Sequence, residues 1–314
     1  MRRLLVRGLS MAATGLLLAV ALGHGGGLVW WLDILANFQL QYVMAGAALL
    51  LPALLLRQWR TAALTLAALG LSALTLFQVP VQEAGGTAAP VPALTVASFN
   101  VLFNNRVADA AVKFAAAEQP DVIVFQEFSK SWLPSLEKLR EHYPHQATFA
   151  LNGGGTDVVL VSRHPLIEPR LVEPDDRRIR VLTAGIEIEG RRLQIVALHP
   201  PVPLLPHLAA IRDRHFALVA ELAKASPHPT ILVGDFNATL WSAPLRRLFA
   251  QTDLRAPTRW PEPTYAAIFP WPTRIPIDHV LVSSGLQITS LRKAQRFGSD
   301  HFPIMARVAI SRSK

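Results

Sequence analysis

The amino-terminal quarter of the chain is almost continuously apolar. Three apolar runs, 8–22, 40–56 and 61–79, approach the roughly 20 residues that a helix needs to cross a bilayer. Charged residues before position 80 are confined to the following six: Arg2, Arg3, Arg7, Asp33, Arg57 and Arg60. This pattern predicts about three transmembrane helices within residues 1–79.

The first apolar run has a second interpretation. It is short and follows the basic residues Arg2, Arg3 and Arg7, which is also the pattern of a cleaved signal peptide. Two further apolar runs follow without a convincing small-residue cleavage site. We therefore favour a membrane anchor and keep the signal peptide as the alternative.

The arginines predict how the helices are oriented. Arg2, Arg3 and Arg7 precede the first run, and Arg57 and Arg60 lie in the short turn between the second and third. Cytoplasmic flanks retain Lys and Arg, so three spans place the remainder of the chain on the outer side. In a bacterial cell this is a multi-pass inner-membrane protein with a periplasmic or extracellular domain.

Residues 80–92 have a different composition. The segment PVQEAGGTAAPVP is rich in Pro, Gly and Ala and has no hydrophobic period, which predicts a linker. From position 93 the chain is patterned like a globular protein, so we predict a separate domain over 93–314.

The globular half alternates short β-like runs with amphipathic helical ones. The predicted strands are 94–99, 121–126, 157–162, 181–188, 192–198, 230–235, 278–283 and 304–310. The predicted helices are 107–118, 131–142, 205–225 and 242–250. Hairpins mixed with helix-separated strands favour an α/β fold in which helices cover the sheets, rather than a purely parallel sheet.

The composition limits the metal ligands that the chain can offer and suggests a class of partner. The chain contains no Cys, so any metal site must use oxygen or imidazole ligands. The formal net charge is +9, which suits a phosphate-rich partner and equally describes an ordinary basic surface.

Predicted strands repeatedly end or begin at polar residues. LTVASFN ends at Asn100, DVIVFQE at Glu127 and LQIVALH at His199, while ILVGDFN carries Asp235 and Asn237. PIDHVLV begins near Asp278, and GSDHFPIMARV places Asp300 and His301 before the last strand. A single such residue is more often a helix cap or a turn residue. The full set, however, contains the groups needed for divalent-metal hydrolysis.

The ordered motifs SFN, QE, LH, GDFN, DH and SDH resemble those of the endonuclease/exonuclease/phosphatase family. The resemblance covers about residues 94–310, and GDFN with the terminal SDH is its most specific part. It implies a four-layer sandwich of two packed β-sheets flanked by helices. It also implies a divalent-metal-dependent hydrolase of phosphate esters, specifically a phosphodiesterase that acts as a nuclease or on phospholipid.

The resemblance implies roles for eight residues. Asn100, Glu127 and Asp300 would form the site of Mg²⁺, with Mn²⁺ as an alternative. Asp235 would orient or deprotonate the attacking water, and Asn237 would bind a phosphate oxygen. His301 would bind the phosphate with Asp278 fixing its tautomer, and His199 would donate to the phosphate or the leaving group.

Two further positions bear on this set. Asp157 could orient His199, although no sharp motif supports it. Repair nucleases of the family often carry a carboxylate two residues after the first Asn, where this chain has Leu102, which disfavours a second metal ligand.

The substrate stays open between nucleic acid and a lipid headgroup. Arg177, Arg178 and Arg180, with Arg191 and Arg192, would suit nucleic acid. Apolar loops at 199–206 and 269–272, with Trp260, would suit a bilayer. A non-catalytic phosphate-binding module of a membrane complex is the alternative function.

Overall fold

The computed structural model describes residues 1–82, 93–107, 109–149, 158–174 and 178–310. Its helices are α1 (Arg2–Gly23), α2 (Trp30–Ala36), α3 (Gln39–Leu55), α4 (Trp59–Phe77), α5 (Ala110–Glu118), α6 (Leu133–Leu139), α7 (Pro206–Ala225) and α8 (Ala243–Gln251). Its strands are β1 (Ala93–Asn100), β2 (Val122–Gln126), β3 (His145–Ala147), β4 (Val159–Ser162), β5 (Leu166–Val172), β6 (Val181–Ile188), β7 (Arg191–Leu198), β8 (Thr230–Asp235), β9 (Asp278–Val282), β10 (Leu286–Lys293) and β11 (Ile304–Ile310).

The strands form two sheets. The first has the order β10-β11-β1-β2-β4-β3 and the second has the order β5-β6-β7-β8-β9. In each sheet one central pair is parallel, β1 with β2 and β7 with β8, and the other neighbours are antiparallel.

Apolar side chains fill three layers of core. One cluster lies between the sheets and includes Val96, Val124 and Ile195. A second joins the first sheet to α5 and α6 through residues such as Phe99 and Phe114, and a third covers the second sheet with α7 and α8. This is the predicted four-layer α/β sandwich, preceded by apolar helices, and the prediction is confirmed.

The predicted strands and helices of this domain are all present, with ends shifted by a few residues, although position 157 lies outside the described residues. The sequence analysis missed β3, β5, β10 and α2. The three missed strands include edges of both sheets, and β5 carries Glu168, Pro169 and Arg170 at exposed positions. Edge strands tolerate charge and proline, so they lack the apolar run that identifies an interior strand.

The amino-terminal helices pack as a bundle. Two of them, Arg2–Gly27 and Trp59–Phe77, are long and apolar enough to cross a membrane, and a third span exists if α2 and α3, bent by 57°, count as one. Ser10 hydrogen-bonds Thr61 at 2.9 Å, and His24 hydrogen-bonds Thr75 at 3.0 Å. Both pairs are 51 residues apart, so α1 and α4 pack side by side and run parallel, and the chain returns from one to the other through α3.

The bundle contacts the sandwich directly. Asp33 of α2 forms an ion pair with Arg212 of α7 at 2.9 Å, and each side chain is 1 % exposed. Asp33 also accepts a hydrogen bond from the amide of Ala243, and Asn37 accepts two from Thr239.

The start of the predicted linker also joins the sandwich. Pro80 accepts a hydrogen bond from the amide of Ala256, and the Gln82 side chain bonds the backbone of Ile288. Residues 83–92 lie outside the described residues, so the boundary between linker and domain stays a prediction.

Candidate active site

The polar residues converge because of the strand directions. In each parallel pair both strands end at the same edge of their sheet, which places Asn100 beside Glu127 and His199 beside Asp235. Asp278 begins the antiparallel β9 in register with Asp235. The segment before β11 reaches the same edge, because Ser299 Oγ donates to the carbonyl of Asn100 at 2.7 Å.

Asp235 lies at the centre of this group and is 1 % exposed. Its Oδ2 accepts a hydrogen bond from Asn100 Nδ2 at 3.0 Å. The Nε2 atoms of His199 and His301 each lie 3.6 Å from the same oxygen. Two imidazoles and one amide therefore face one carboxylate oxygen.

The backbone around Asp235 explains the residues of the GDFN motif. At Gly234 a Cβ atom would collide with the carbonyl oxygen of Leu198, so only glycine allows β8 this close to β7. Asn237 has a φ of +47°, in the left-handed region that asparagine tolerates better than most residues. Its backbone amide donates to Asp235 Oδ1 at 2.9 Å, which fixes the carboxylate orientation.

His301 and Asp278 form a buried pair. His301 Nδ1 donates to Asp278 Oδ2 at 2.9 Å, which leaves Nε2 directed toward Asp235. Burial opposes protonation, but the carboxylates of Asp278, Asp235 and Asp300 outweigh it and raise the pKa of His301 to about 10. His301 is therefore a cation at neutral pH, suited to binding a phosphate oxygen.

Glu127 is held by the same nitrogen of Asn100 that binds Asp235. Its Oε1 accepts from Asn100 Nδ2 at 3.1 Å and its Oε2 accepts from the amide of Phe103 at 3.0 Å. Like Asn237, Glu127 adopts a left-handed backbone, with a φ of +57°. Such conformations cost free energy and are concentrated at functional sites.

Tyr265 is a site residue that the sequence analysis missed. Its ring centroid lies 4.8 Å from that of His301. Burial, and then the charges of Asp300, Asp235 and Glu127, raise the pKa of its hydroxyl, so all three carboxylates act on one phenol. A tyrosine in a loop has no local signal that distinguishes it, and only the tertiary fold places it here.

Two groups of side chains offer metal ligands. Asp235, Asp278 and His301 place one ligand atom each within 4.8 Å of one another. In that group, however, His301 and Asp278 already bond each other. Glu127, Asp300 and Asn100 supply oxygen ligands, the type that Mg²⁺ prefers, and the two carboxylates are half-buried and accessible.

The Asn100 side chain is engaged in positioning. Its nitrogen bridges Glu127 and Asp235, and its oxygen accepts the amide of Leu102 at 3.0 Å. The chemistry of this group fits a hard divalent cation, and the assignment of individual ligands stays a prediction.

The remaining predicted residues lie at the same edge. The Asn237 side chain donates to the carbonyl of Pro200 at 2.9 Å, which ties the loop after His199 to the site. His199 also lines a cavity of about 290 Å³ together with Arg178, Arg180 and His215. Asp157 and Arg177 lie outside the described residues, so their predicted roles stay predictions.

Comparisons with known proteins identify the family and the fold of this domain. Residues 97–301 match the Endonuclease/Exonuclease/phosphatase family. Among curated proteins no match was found.

Three solved structures share the fold. An endonuclease/exonuclease/phosphatase from Beutenbergia cavernae has a TM-score of 0.59 at 20% identity, covering 70% of this chain and 72% of that one. D. rerio TDP2 complexed with single strand DNA product has a TM-score of 0.58 at 17% identity, covering 69% and 98%. Sphingomyelinase C from Streptomyces griseocarneus has a TM-score of 0.52 at 20% identity, covering 69% and 99%.

The family match spans most of the sandwich and includes every residue of the candidate site. The chain therefore belongs to the endonuclease/exonuclease/phosphatase family, as its motifs indicated.

Proposed function

We propose that this family member is a divalent-metal-dependent phosphodiesterase whose amino-terminal helices anchor it in a membrane. One observation carries the proposal: the Oδ2 atom of Asp235 is faced by the side chains of Asn100, His199 and His301. A carboxylate between two imidazoles, beside a pair of accessible acidic ligands, is suited to water attack on a phosphate.

The reaction is the hydrolysis of one phosphate ester bond. Asp235 orients the water and accepts its proton as the water oxygen bonds to phosphorus. The bond from phosphorus to the leaving oxygen breaks, and that oxygen takes up a proton from solvent and leaves as an alcohol, while Asp235 returns its proton to solvent. His199 donates a hydrogen bond to the phosphate or to the leaving oxygen.

Positive charge at the site stabilises the transition state. The protonated His301, held by Asp278, faces the oxygens on which negative charge develops. Asn237, whose Nδ2 donates one proton to the carbonyl of Pro200, would donate the other to a further phosphate oxygen. Glu127, Asp300 and Asn100 would hold Mg²⁺ or Mn²⁺, which when bound stabilises the charge on the phosphate oxygens as a Lewis acid.

The alternative is a non-catalytic module that only binds phosphate. A binding module needs cations and donors but has no use for a buried carboxylate at the centre of the site, so Asp235 favours catalysis. The buried Asp33–Arg212 pair requires that tests use the full chain in detergent, because a truncated domain would expose Arg212 and leave it only Asp213 as a carboxylate partner.

The test is hydrolysis of bis-p-nitrophenyl phosphate by the full chain, with Mg²⁺ and with EDTA. The proposal expects turnover that requires the metal and is lost in His301→Ala. Binding of phosphate without turnover in either condition would favour the module.

The arrangement of the helices supports a three-span anchor. Because α1 and α4 run parallel, Arg2, Arg3 and Arg7 lie at the same end of the bundle as Arg57 and Arg60. We infer that this end is cytoplasmic and that the domain, at the other end, is periplasmic or extracellular. Fusing a reporter enzyme after α4 and after α3 tests the topology, since only the first should report an external position.

A further inference from the structure

Three loops that hold site residues end in exposed apolar side chains. In the first, the amide of Phe103 binds Glu127, while the Phe103 side chain is 52% exposed. The second follows His199, is tied to the site through Asn237, and exposes Val202, Leu204 and Leu205.

The third apolar loop contacts the other half of the site. Its Ala267 amide donates to the carbonyl of Asp300 at 2.6 Å, and its Tyr265 packs on His301. The loop then exposes Ile268, Phe269 and Trp271, each more than half accessible to solvent. Apolar tips on several sides of one polar site form a patch of the kind that marks an interaction surface.

The third loop is also fixed to the start of α3. The Gln41 side chain, in the first turn of that helix, donates to the carbonyls of Pro272 at 3.1 Å and Arg274 at 2.7 Å. Arg274 in turn donates to the carbonyl of Phe269 at 2.7 Å. The exposed aromatic residues are thus held level with the point where α3 begins.

A second contact places another exposed aromatic residue, Trp260, at the same end of the helix bundle. The guanidinium of Arg259 lies 5.3 Å from the ring centroid of Phe77, the last residue of α4. The next residue, Trp260, is 47% exposed. The start of α3 and the end of α4 lie at one end of the bundle, where the membrane surface would be, and tryptophan is enriched at such interfaces.

We propose that the active site opens toward the bilayer that holds the helices, and that its substrate is a phosphate ester of a membrane phospholipid. The inference rests on the proposed function. The apolar tips of the three loops lie in the outer leaflet, and the lipid phosphate reaches Asp235 and His301 without leaving the membrane.

The surface around the site favours lipid over nucleic acid. A nucleic acid presents many phosphates and is bound by a basic surface around the scissile one. Here the tips of the loops are uncharged, and Arg180 is paired with Glu173 at 2.9 Å.

The first test compares two substrates with one protein. The full chain is reconstituted in vesicles that contain phosphatidylcholine, phosphatidylethanolamine, phosphatidylglycerol and sphingomyelin, and released headgroup is measured beside hydrolysis of bis-p-nitrophenyl phosphate. In the double variant Phe269→Ser/Trp271→Ser, lipid hydrolysis should fall about tenfold or more, because both positions lose the apolar surface that they bury in the bilayer. Hydrolysis of the soluble ester should change little.

The second test needs no turnover. Because the chain has no cysteine, Phe269→Cys, Leu204→Cys and the control Arg191→Cys each carry a single nitroxide label. Arg191 is exposed at the start of β7, roughly 25 Å along the strand from His199. In vesicles, the labels at 269 and 204 should be relaxed by oxygen and shielded from a water-soluble nickel chelate, with the reverse at 191.

The outcomes separate the inference from the proposed function. If all three labels are equally accessible to the nickel chelate, the site does not face the bilayer and the inference is wrong. Hydrolysis of plasmid DNA or RNA by a protein that leaves every vesicle lipid intact would also overturn it. Absence of metal-dependent hydrolysis of the soluble ester would instead overturn the proposed function, whatever the labels report.

Discussion

The Nδ1 atom of His301 lies 2.9 Å from Oδ2 of Asp278, and both side chains are almost completely buried. This hydrogen bond leaves the Nε2 atom of His301 facing Asp235 at 3.6 Å. We therefore propose that Asp278 is a positioning residue, which would act on the phosphate through the orientation and charge of His301.

The first prediction concerns this pair. Asp278→Asn should lower kcat for bis-p-nitrophenyl phosphate by about 10²-fold or more, because the imidazolium loses the carboxylate that stabilises it. The KM should change less than kcat, and Asp278→Glu should recover part of the rate. A variant that keeps the full rate would show that His301 needs no partner.

The second prediction concerns the proposed base. Asp235→Asn should reduce kcat by about 10²- to 10⁴-fold, since the amide cannot accept the proton of water. Asp253→Asn provides the matched control, because Asp253 is exposed and bonds only Ser284 among the contacts described. Equal losses in the two variants would point to a general effect on folding.

The third prediction concerns the metal. Glu127→Gln keeps the shape of the side chain but removes a charged ligand, so half-maximal activity should require at least about tenfold more Mg²⁺. Activity of the native chain should vanish with EDTA and return with Mg²⁺ or Mn²⁺. An unchanged Mg²⁺ requirement in Glu127→Gln would exclude Glu127 as a ligand.

The fourth prediction concerns pH and His279. This residue is buried and its Nε2 donates to the carbonyl of Ala238, and burial lowers its pKa to about 4. In the unfolded chain the imidazole of His279 binds a proton near pH 6.5, whereas in the folded chain it stays neutral until about pH 4. Stability conferred by His279 is therefore complete above pH 6.5 and falls as the pH is lowered toward 4, by about 3 kcal/mol.

Denaturation of the full chain in detergent at pH 7 and pH 4.5 checks this expectation. Native stability should fall more between the two pH values than that of His279→Gln, which does not titrate. Parallel losses in both proteins would assign the acid sensitivity to other groups.

The fifth prediction concerns the contact between α2 and α7. Arg212→Met should destabilise the chain by about 3–5 kcal/mol, because it leaves the Asp33 carboxylate buried without its cation. The double variant Asp33→Leu/Arg212→Met should recover much of that loss, as measured by denaturation in detergent. If the double variant is no more stable than Arg212→Met, the carboxylate is not the cause.

Interior strands and the ends of those strands could be predicted from sequence. The run ILVG is apolar because β8 is covered on both faces, and Asp235 follows it because the strand ends at the sheet edge. The edge strands β5 and β10 could not be predicted from sequence, because polar residues interrupt their apolar pattern.

Other features depend on contacts between distant segments. Tyr265 lies in a loop that has no periodic pattern. In the sequence Asp33 is recognisable only as a charged residue between two apolar runs. Their roles follow from packing on His301 and Arg212, which lie 36 and 179 positions away in the printed chain. The same holds for the exposed aromatic residues near positions 260 and 269–271, because only the structure shows the contacts of Arg259, Pro272 and Arg274 with α4 and α3.

The most direct measurement is the position of a bound cation. A crystal structure of the full chain with Mn²⁺ and a non-hydrolysable phosphate ester, with the manganese located by anomalous scattering, would give it. We expect one manganese bound by Glu127 and Asp300, and the phosphate in contact with His301. Manganese bound among Asp235, Asp278 and His301, with Glu127 and Asp300 free of it, would contradict the account.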